Sequence, residues 1–303
     1  MRKLVISVAL FALLLAPRAF ANHFADFYVI PVAIDSPGVN GTQWMSDVAI
    51  FNFQSTPLTV EMLFIASGQN NPDNAAPLSP PLLPIPIPAG GSVILKDVID
   101  TLPGTTKIGA ILIGANAPFA VTSRAYSMTP TGDTVGQTVQ PARDFLENAV
   151  GDVMNPGATS YLPGLINNSR FRTNLGFVAA TANNNNDGMT VEVTIRNASG
   201  GPVGTRAFFI PGGSFTHLQF ASTAITGTDG PNAFFDAGSA TYRITTGDGA
   251  VVPYASVIDN VTADAVFVTG QFPPNTPFAK TGMPSAFRQL FKRFGLGMGM
   301  GTN

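Results

Sequence analysis

Thr59-Val-Glu-Met-Leu-Phe-Ile65 and Thr190-Val-Glu-Val-Thr-Ile-Arg196 are the same strand written twice. Each is rich in β-branched or long apolar residues and alternates with a period of two, the spacing that places successive side chains on opposite faces of a sheet. Val60, Met62 and Phe64 match Val191, Val193 and Ile195, so they form a shared inner face. Working outward, four more pairs keep the same order. Trp44-Met-Ser-Asp-Val-Ala-Ile-Phe51 matches Phe171-Arg-Thr-Asn-Leu-Gly-Phe-Val178, and Ile87-Pro-Ala-Gly-Gly-Ser92 matches Ile210-Pro-Gly-Gly-Ser214. Gly109-Ala-Ile-Leu-Ile113 is set against Ser239-Ala-Thr-Tyr-Arg243, and Pro118–Tyr126 against Ala250–Val257. Self-similarity in fixed order marks an internal repeat.

Each block is short and bounded by Gly, Pro, Asn or Asp, the punctuation of strands in sandwiches. No long stretch between 27 and 140 or between 160 and 270 carries helical spacing. The expected fold is all-β: two tandem antiparallel β-sandwiches of roughly seven strands each, with a short amphipathic C-terminal helix. The expected divisions are a signal peptide over 1–21, a first sandwich over 22–141 and a linker over 142–159. A second sandwich over 160–271 is followed by a Pro-rich linker and amphipathic tail over 272–303. Residues 144–150 could add one or two helical turns in the linker.

The N-terminal segment reads as an address. Arg2 and Lys3 precede the apolar run Leu4–Leu15, and Ala19-Phe-Ala21 supplies a small–x–small cleavage pattern. The run is shorter than the ~20 residues a spanning helix needs. With 1–21 removed, 13 of the 16 basic residues remain against 18 acidic ones, because Arg2, Lys3 and Arg18 are lost. That balance argues against a nucleic-acid partner, which needs a basic footprint. The chain has 31 Gly, 25 Pro and no Cys in 303 residues, and only 11% are charged, against a typical 25% or so. Disulfides and thiolate chemistry are therefore excluded, and stability must come from burial. The chain is expected to be secreted, to the cell surface or the periplasm.

The pattern resembles the tandem immunoglobulin-like β-sandwich repeats of exported bacterial proteins of uncharacterised function. Arg172-Thr-Asn-Leu-Gly176, the Ile-Pro-Gly-Gly-Ser turn at 210–214 and Tyr254-Ala-Ser-Val-Ile-Asp-Asn260 carry the resemblance, which covers most of 27–270. It implies a fold and a compartment and assigns no catalytic residue.

The copies differ on the outer face. Leu63 and Ile65 stand where the second copy has Thr194 and Arg196; read in the alignment above, Ile111 and Ile113 stand where it has Thr241 and Arg243. Four aliphatic side chains left in water would each forgo ~1.5–3 kcal/mol of burial. Leu63, Ile65, Ile111 and Ile113 are therefore candidate interface residues. The cover could be the Pro-rich loop 66–84, the second sandwich, the tail or another molecule. In the tail, Phe287, Leu290, Phe291 and Phe294 fall on one helical stripe beside Arg288, Lys292 and Arg293. That stripe could dock on a sandwich or make peripheral contact with an anionic membrane, with docking favoured.

Chemistry-bearing motifs are sparse. His23 and His217 are the only histidines, and no Gly-x-Ser-x-Gly, His-Glu-x-x-His or Walker pattern occurs. Glu61 and Glu192 occupy equivalent repeat positions, which separates them as a glycosidase pair. Asp47 and Asn174 begin matching strands, and Arg124 is private to the first copy. Asn183-Asn-Asn-Asn-Asp-Gly188 opens like a calcium loop but has one carboxylate and Thr194 at the twelfth place, so a hairpin turn is the better reading. Asn40, Asn167, Asn197 and Asn260 begin glycosylation triplets that matter only in a glycosylating host. No catalytic residue, metal or cofactor is expected. The reading is an exported non-enzymatic structural or adhesion protein, with self-association, another surface protein or a glycan as partner. The alternative is a carbohydrate-binding β-sandwich protein, and the exposure of Trp44 discriminates between the two.

Overall fold

The computed structural model describes residues 25–38, 41–68, 70–72, 82–102, 107–129, 131–143, 153–181, 187–227 and 234–272. The expected signal peptide, the tail helix and the helical turns over 144–150 lie outside them. Within the described residues the chain is all-β, and every pairing between its strands is antiparallel.

The first half contains β1 (Ala25–Pro37), β2 (Gln43–Phe51), β3 (Leu58–Ala66), β4 (Asn70–Pro72), β5 (Leu82–Ile87), β6 (Ser92–Leu95), β7 (Lys107–Met128), β8 (Thr134–Val139) and β9 (Ala142–Arg143). The second contains β10 (Thr159–Asn167), β11 (Phe171–Thr181), β12 (Met189–Asn197), β13 (Pro202–Ile210), β14 (Ser214–Ala221), the short helix α1 (Thr223–Thr226), β15 (Phe235–Thr246), β16 (Gly249–Asp259) and β17 (Ala265–Thr269). β9, which the sequence reading assigned to the linker, pairs with β1.

Apart from β4 and β9, the strands of the two halves follow the same order. One sheet of the first half runs β5-β3-β7-β1 and its counterpart runs β13-β12-β15-β10. The other runs β6-β2-β7-β8 and its counterpart β14-β11-β16-β17. In the first half β7 serves both sheets. Its start pairs with β1 and β3, and its end with β2 and β8. Register slips near Pro118, which has no N–H to give a ladder. In the second half the same path is cut into β15 and β16 at Gly247, whose φ of 80° suits a residue without a side chain.

This crossing strand corrects the expected immunoglobulin-like topology. That arrangement places the first, second, fourth and fifth strands in one sheet and the third, sixth and seventh in the other. Here the second–fifth and third–sixth pairings are kept, but the first and fourth strands lie with the sixth and the seventh lies with the second. The sixth strand runs on across the sheet boundary instead of turning back, which delivers the seventh to the opposite sheet.

Three apolar layers separate four sheets. Ile30, Val48, Ile50, Met62, Phe64 and Phe119 are among those filling the first half. Leu175, Phe177, Val191, Val193 and Tyr242 are among those filling the second. Between the halves, Phe27, Val29, Leu63, Ile65, Ala110 and Leu112 meet Val178, Ala180, Phe215, Ala250 and Val252. The described part of the 66–84 loop crosses to the second half, where Asn70–Pro72 pair with Ser214–Thr216 as a fifth strand. It therefore borders that sheet's edge, and Leu63 and Ile65 are covered by the second half.

The register of β7 corrects a second expectation. Met62 pairs with Ile113 and Phe64 with Ile111, while Val193 pairs with Tyr242 and Ile195 with Ala240. Ile111 and Ile113 therefore correspond to Ala240 and Tyr242 and lie inside the first core. Ala110 and Leu112 are the outward residues. The alignment of this block was displaced by one residue, and such a slip exchanges the two faces of a strand. In the last block Arg124 pairs with Asp47 as Ser256 pairs with Asn174, so Ser256 is the counterpart of Arg124.

Candidate binding cleft between the two halves

The face that the second half turns to the first grades from apolar to charged. Its β11, β14 and β16 rungs begin with Ala180, Phe215 and Ala250, then Val178, His217 and Val252. Gly176, Gln219 and Tyr254 follow, then Asn174 with Ser256, and finally Arg172 with Ile258. The apolar rungs bury against the first half, and the polar ones border a cleft of ≈ 500 Å³. Its other wall is Val32, Ile34 and Ser36 of β1, Trp44 of β2, Ala125 of β7 and Gln137 of β8.

At the buried end Tyr254 extends into the first half's core. Gly176 makes room for it, since a methyl group there would overlap the Tyr254 ring. Tyr254 Oη lies 2.7 Å from His217 Nε2 and 3.1 Å from Gln219 Oε1. The rings of His217 and Tyr254 stack at 5.9 Å. His217 is fully buried, and that burial pushes its pKa down to about 3, with the nearby Pro31 carbonyl opposing. Nδ1 nevertheless makes no hydrogen bond of normal geometry. Burial also pushes the Tyr254 hydroxyl well up, helped by Tyr242. Both groups are neutral near pH 7, so the pair is a buried polar contact within the second half, on the face it turns to the first. Further along, Ser256 Oγ donates to Gln137 Oε1 at 2.8 Å and joins the two walls. At the open end Arg172 donates through one terminal nitrogen to Asn260 Oδ1 at 2.6 Å.

Trp44 is 6% exposed and packs on Ile258, Ala263 and Ala265 of the second half. It is no platform in solvent, and it packs on the other half, whereas its counterpart Phe171 packs against the core of its own.

A second polar cluster sits in the first half. Asp35, Asp97 and Asp100 each bring an oxygen within 4.8 Å of the others. A cation already serves them: the buried Lys107 ammonium is 2.6 Å from Asp35 Oδ2 and 2.7 Å from the Asp100 carbonyl. Asp97 has a φ of 45°. Desolvation first, then Asp35, Asp100 and Asp47, push its carboxyl up to about 6 against the pull of Lys107. Asp47 accepts from the Asp97 N–H, Tyr126 Oη and Arg124 Nε, and Arg124 lies over the Tyr126 ring. Asp47 and Arg124 thus act as strand ties.

Of the candidate interface residues, Leu63 and Ile65 meet the second half, while Ile111 and Ile113 point into the first core. Phe287, Leu290, Phe291 and Phe294 lie outside the described residues, as does most of the Asn-rich loop. Glu61 and Glu192 stand in separate halves. Asn260 is held by Arg172, and Asn197 organises the turn to Gly201. Sequence reasoning missed the cleft. Its one visible signal was the run of polar residues at alternating positions, such as Arg172 and Asn174, on strands otherwise apolar.

No family model and no curated protein matches the chain. Among solved structures, it has slight likeness to the C-terminal domain of the Streptococcus pyogenes antigen I/II-family protein AspA, at 12% identity, covering 83% of this chain and 100% of that one, TM-score 0.16. The Streptococcus agalactiae AgI/II polypeptide BspA C-terminal domain gives 12% identity over 80% of this chain and 100% of that one, TM-score 0.16. The infectious bursal disease virus Gx strain structure gives 11% over 90% and 83%, TM-score 0.16. Scores this low carry no argument about function.

Proposed function

We propose that the chain is an exported, non-enzymatic structural or adhesion protein, released from residues 1–21 and resident at the cell surface or in the periplasm. Its two tandem sandwich domains, 22–141 and 160–271, act as one stiff support, and the tail over 272–303 contributes an amphipathic helix. Partners are further copies, another surface protein or a glycan. The observation that carries the reading is the apolar layer joining the halves. Leu63 and Ile65 are spent on rigidity between units, which suits a load-transmitting support. His217, neutral and buried, is unsuited to acid–base work at neutral pH. The buried Trp44 argues against the carbohydrate-platform alternative.

The test has two parts. Tagged full-length chain is expressed in a bacterial host, fractionated and labelled on intact cells with an impermeant reagent. Recovery in the periplasm or at the surface, without residues 1–21, is the expected result, and cytoplasmic retention would overturn the export reading. Light scattering on residues 22–303 then measures assembly. A dimer or polymer supports the structural role, and a clean monomer moves the weight to ligand binding.

A further inference from the structure

We propose that the cleft between the halves binds a small organic monocarboxylate with an apolar body, paired with Arg172. This goes beyond the structural role and can fail independently of it.

The argument starts from charge. Among the described residues, Arg172 is the one formally charged residue lining the cleft. Its guanidinium carries five N–H donors in a rigid fork, and its hydrogen bond among the described residues is the one to Asn260. Burial alone lowers its pKa, so the site as it stands disfavours the cation and an incoming anion would relieve that cost. The carboxylates nearest in sequence are committed elsewhere. Asp35 holds Lys107 and Gln43, and Asp259 holds Arg170. Alternation puts both on the opposite strand face from cleft residues Ile34 and Ile258.

The rest of the lining selects the ligand class. One guanidinium without a lysine or second arginine suits a monoanion and its two-oxygen fork better than a phosphate dianion. A neutral sugar would leave the cation unpaired. Trp44, Ile34 and Ile258 offer an apolar wall, and Asn174 and Gln219 add neutral hydrogen-bonding groups. The volume lies within the range of small-molecule sites.

Trp44 is the only tryptophan, so its emission reports occupancy of this cleft. The full chain is titrated with benzoate and, separately, with benzamide, its neutral isostere, at constant ionic strength. Benzoate is expected to change Trp44 emission saturably, with benzamide at least about ten-fold weaker, the gap expected for losing a charge-assisted pair. Arg172→Gln should abolish the benzoate response while the thermal melt stays cooperative, and Arg172→Lys should keep part of it. Equal responses to the two probes would overturn the proposal. So would a linear, non-saturating response to benzoate at about 10 mM, far above a specific site's range. If Arg172→Gln does not fold, calorimetric titration of the unmodified chain with the same two probes decides the matter.

Discussion

Leu63 and Ile65 in the first half occupy the places of Thr194 and Arg196 in the second, on strands with matching partners and matching register. Ala110 and Leu112 likewise stand where the second half has Ser239 and Thr241. The backbones are equivalent, yet one face packs aliphatic side chains against the other half while its counterpart carries polar ones, from buried Thr194 to half-buried Arg196. A sheet face becomes core through a handful of side chains, because the ladder hydrogen bonds are satisfied either way and the apolar area alone decides.

That contrast can be broken most severely with a charge. Ile65→Asp buries a carboxylate without a partner and should cost about 4 kcal/mol or more. Arg196→Asp at the matching place should cost less than about 1 kcal/mol. Urea unfolding of both variants measures the difference, and equal losses would mean the interface between halves contributes nothing. Ile113→Ala tests the register. Inside the core it should cost about 2–4 kcal/mol, whereas a loss near 0.5 kcal/mol would return Ile113 to the surface.

His217 faces the first half, and its charge state should tune how firmly the halves hold. Its folded pKa, about 3, lies below the unfolded value of about 6.5, so its contribution is present above pH 6.5 and is lost as pH falls from there toward 3. Between pH 7 and 5 that is about 2 kcal/mol. His217→Gln should remove this slope, and an unchanged slope would contradict the burial of a neutral ring. The smallest effect belongs to Asp97, whose shift has the opposite sign. Its folded pKa, about 6, is raised, so its favourable contribution is present below the unfolded value near 4 and is lost as pH rises through 6. After discounting for solvent screening, Asp97→Asn should add about 1 kcal/mol at pH 7 and nothing at pH 4. Asn also tolerates the positive φ there. Urea midpoints at the two pH values check it.

The strands were legible because alternation and turn residues act locally. Gly109–Ile113 was not legible in register: it is apolar at every position after the glycine because both faces are buried, and without alternation nothing in the block says which residue points inward. β4 escaped because Asn70-Asn-Pro72 has neither apolar alternation nor β-branched residues to mark a strand. The topology escaped because a strand that crosses between sheets reads like one that turns back. The cleft joins Trp44, Gln137, Arg172 and Asn260, residues far apart in the chain, and only the face-to-face packing brings them together.

The contact between the halves is head-to-tail. The β3–β7 face of one unit meets the β11–β14–β16 face of the next, and these are different surfaces of the repeat. Contacts of that kind close into rings or extend into fibres, according to the rotation they impose, unless something stops them. Here Thr194, Arg196, Ser239 and Thr241 occupy the end that would receive a third tier. At the other end the first unit still shows Phe51 and Ile94, 43% and 66% exposed, on the face equivalent to the one the second unit has buried. The two ends of the tandem therefore differ: one keeps exposed apolar side chains, and the other carries four polar ones.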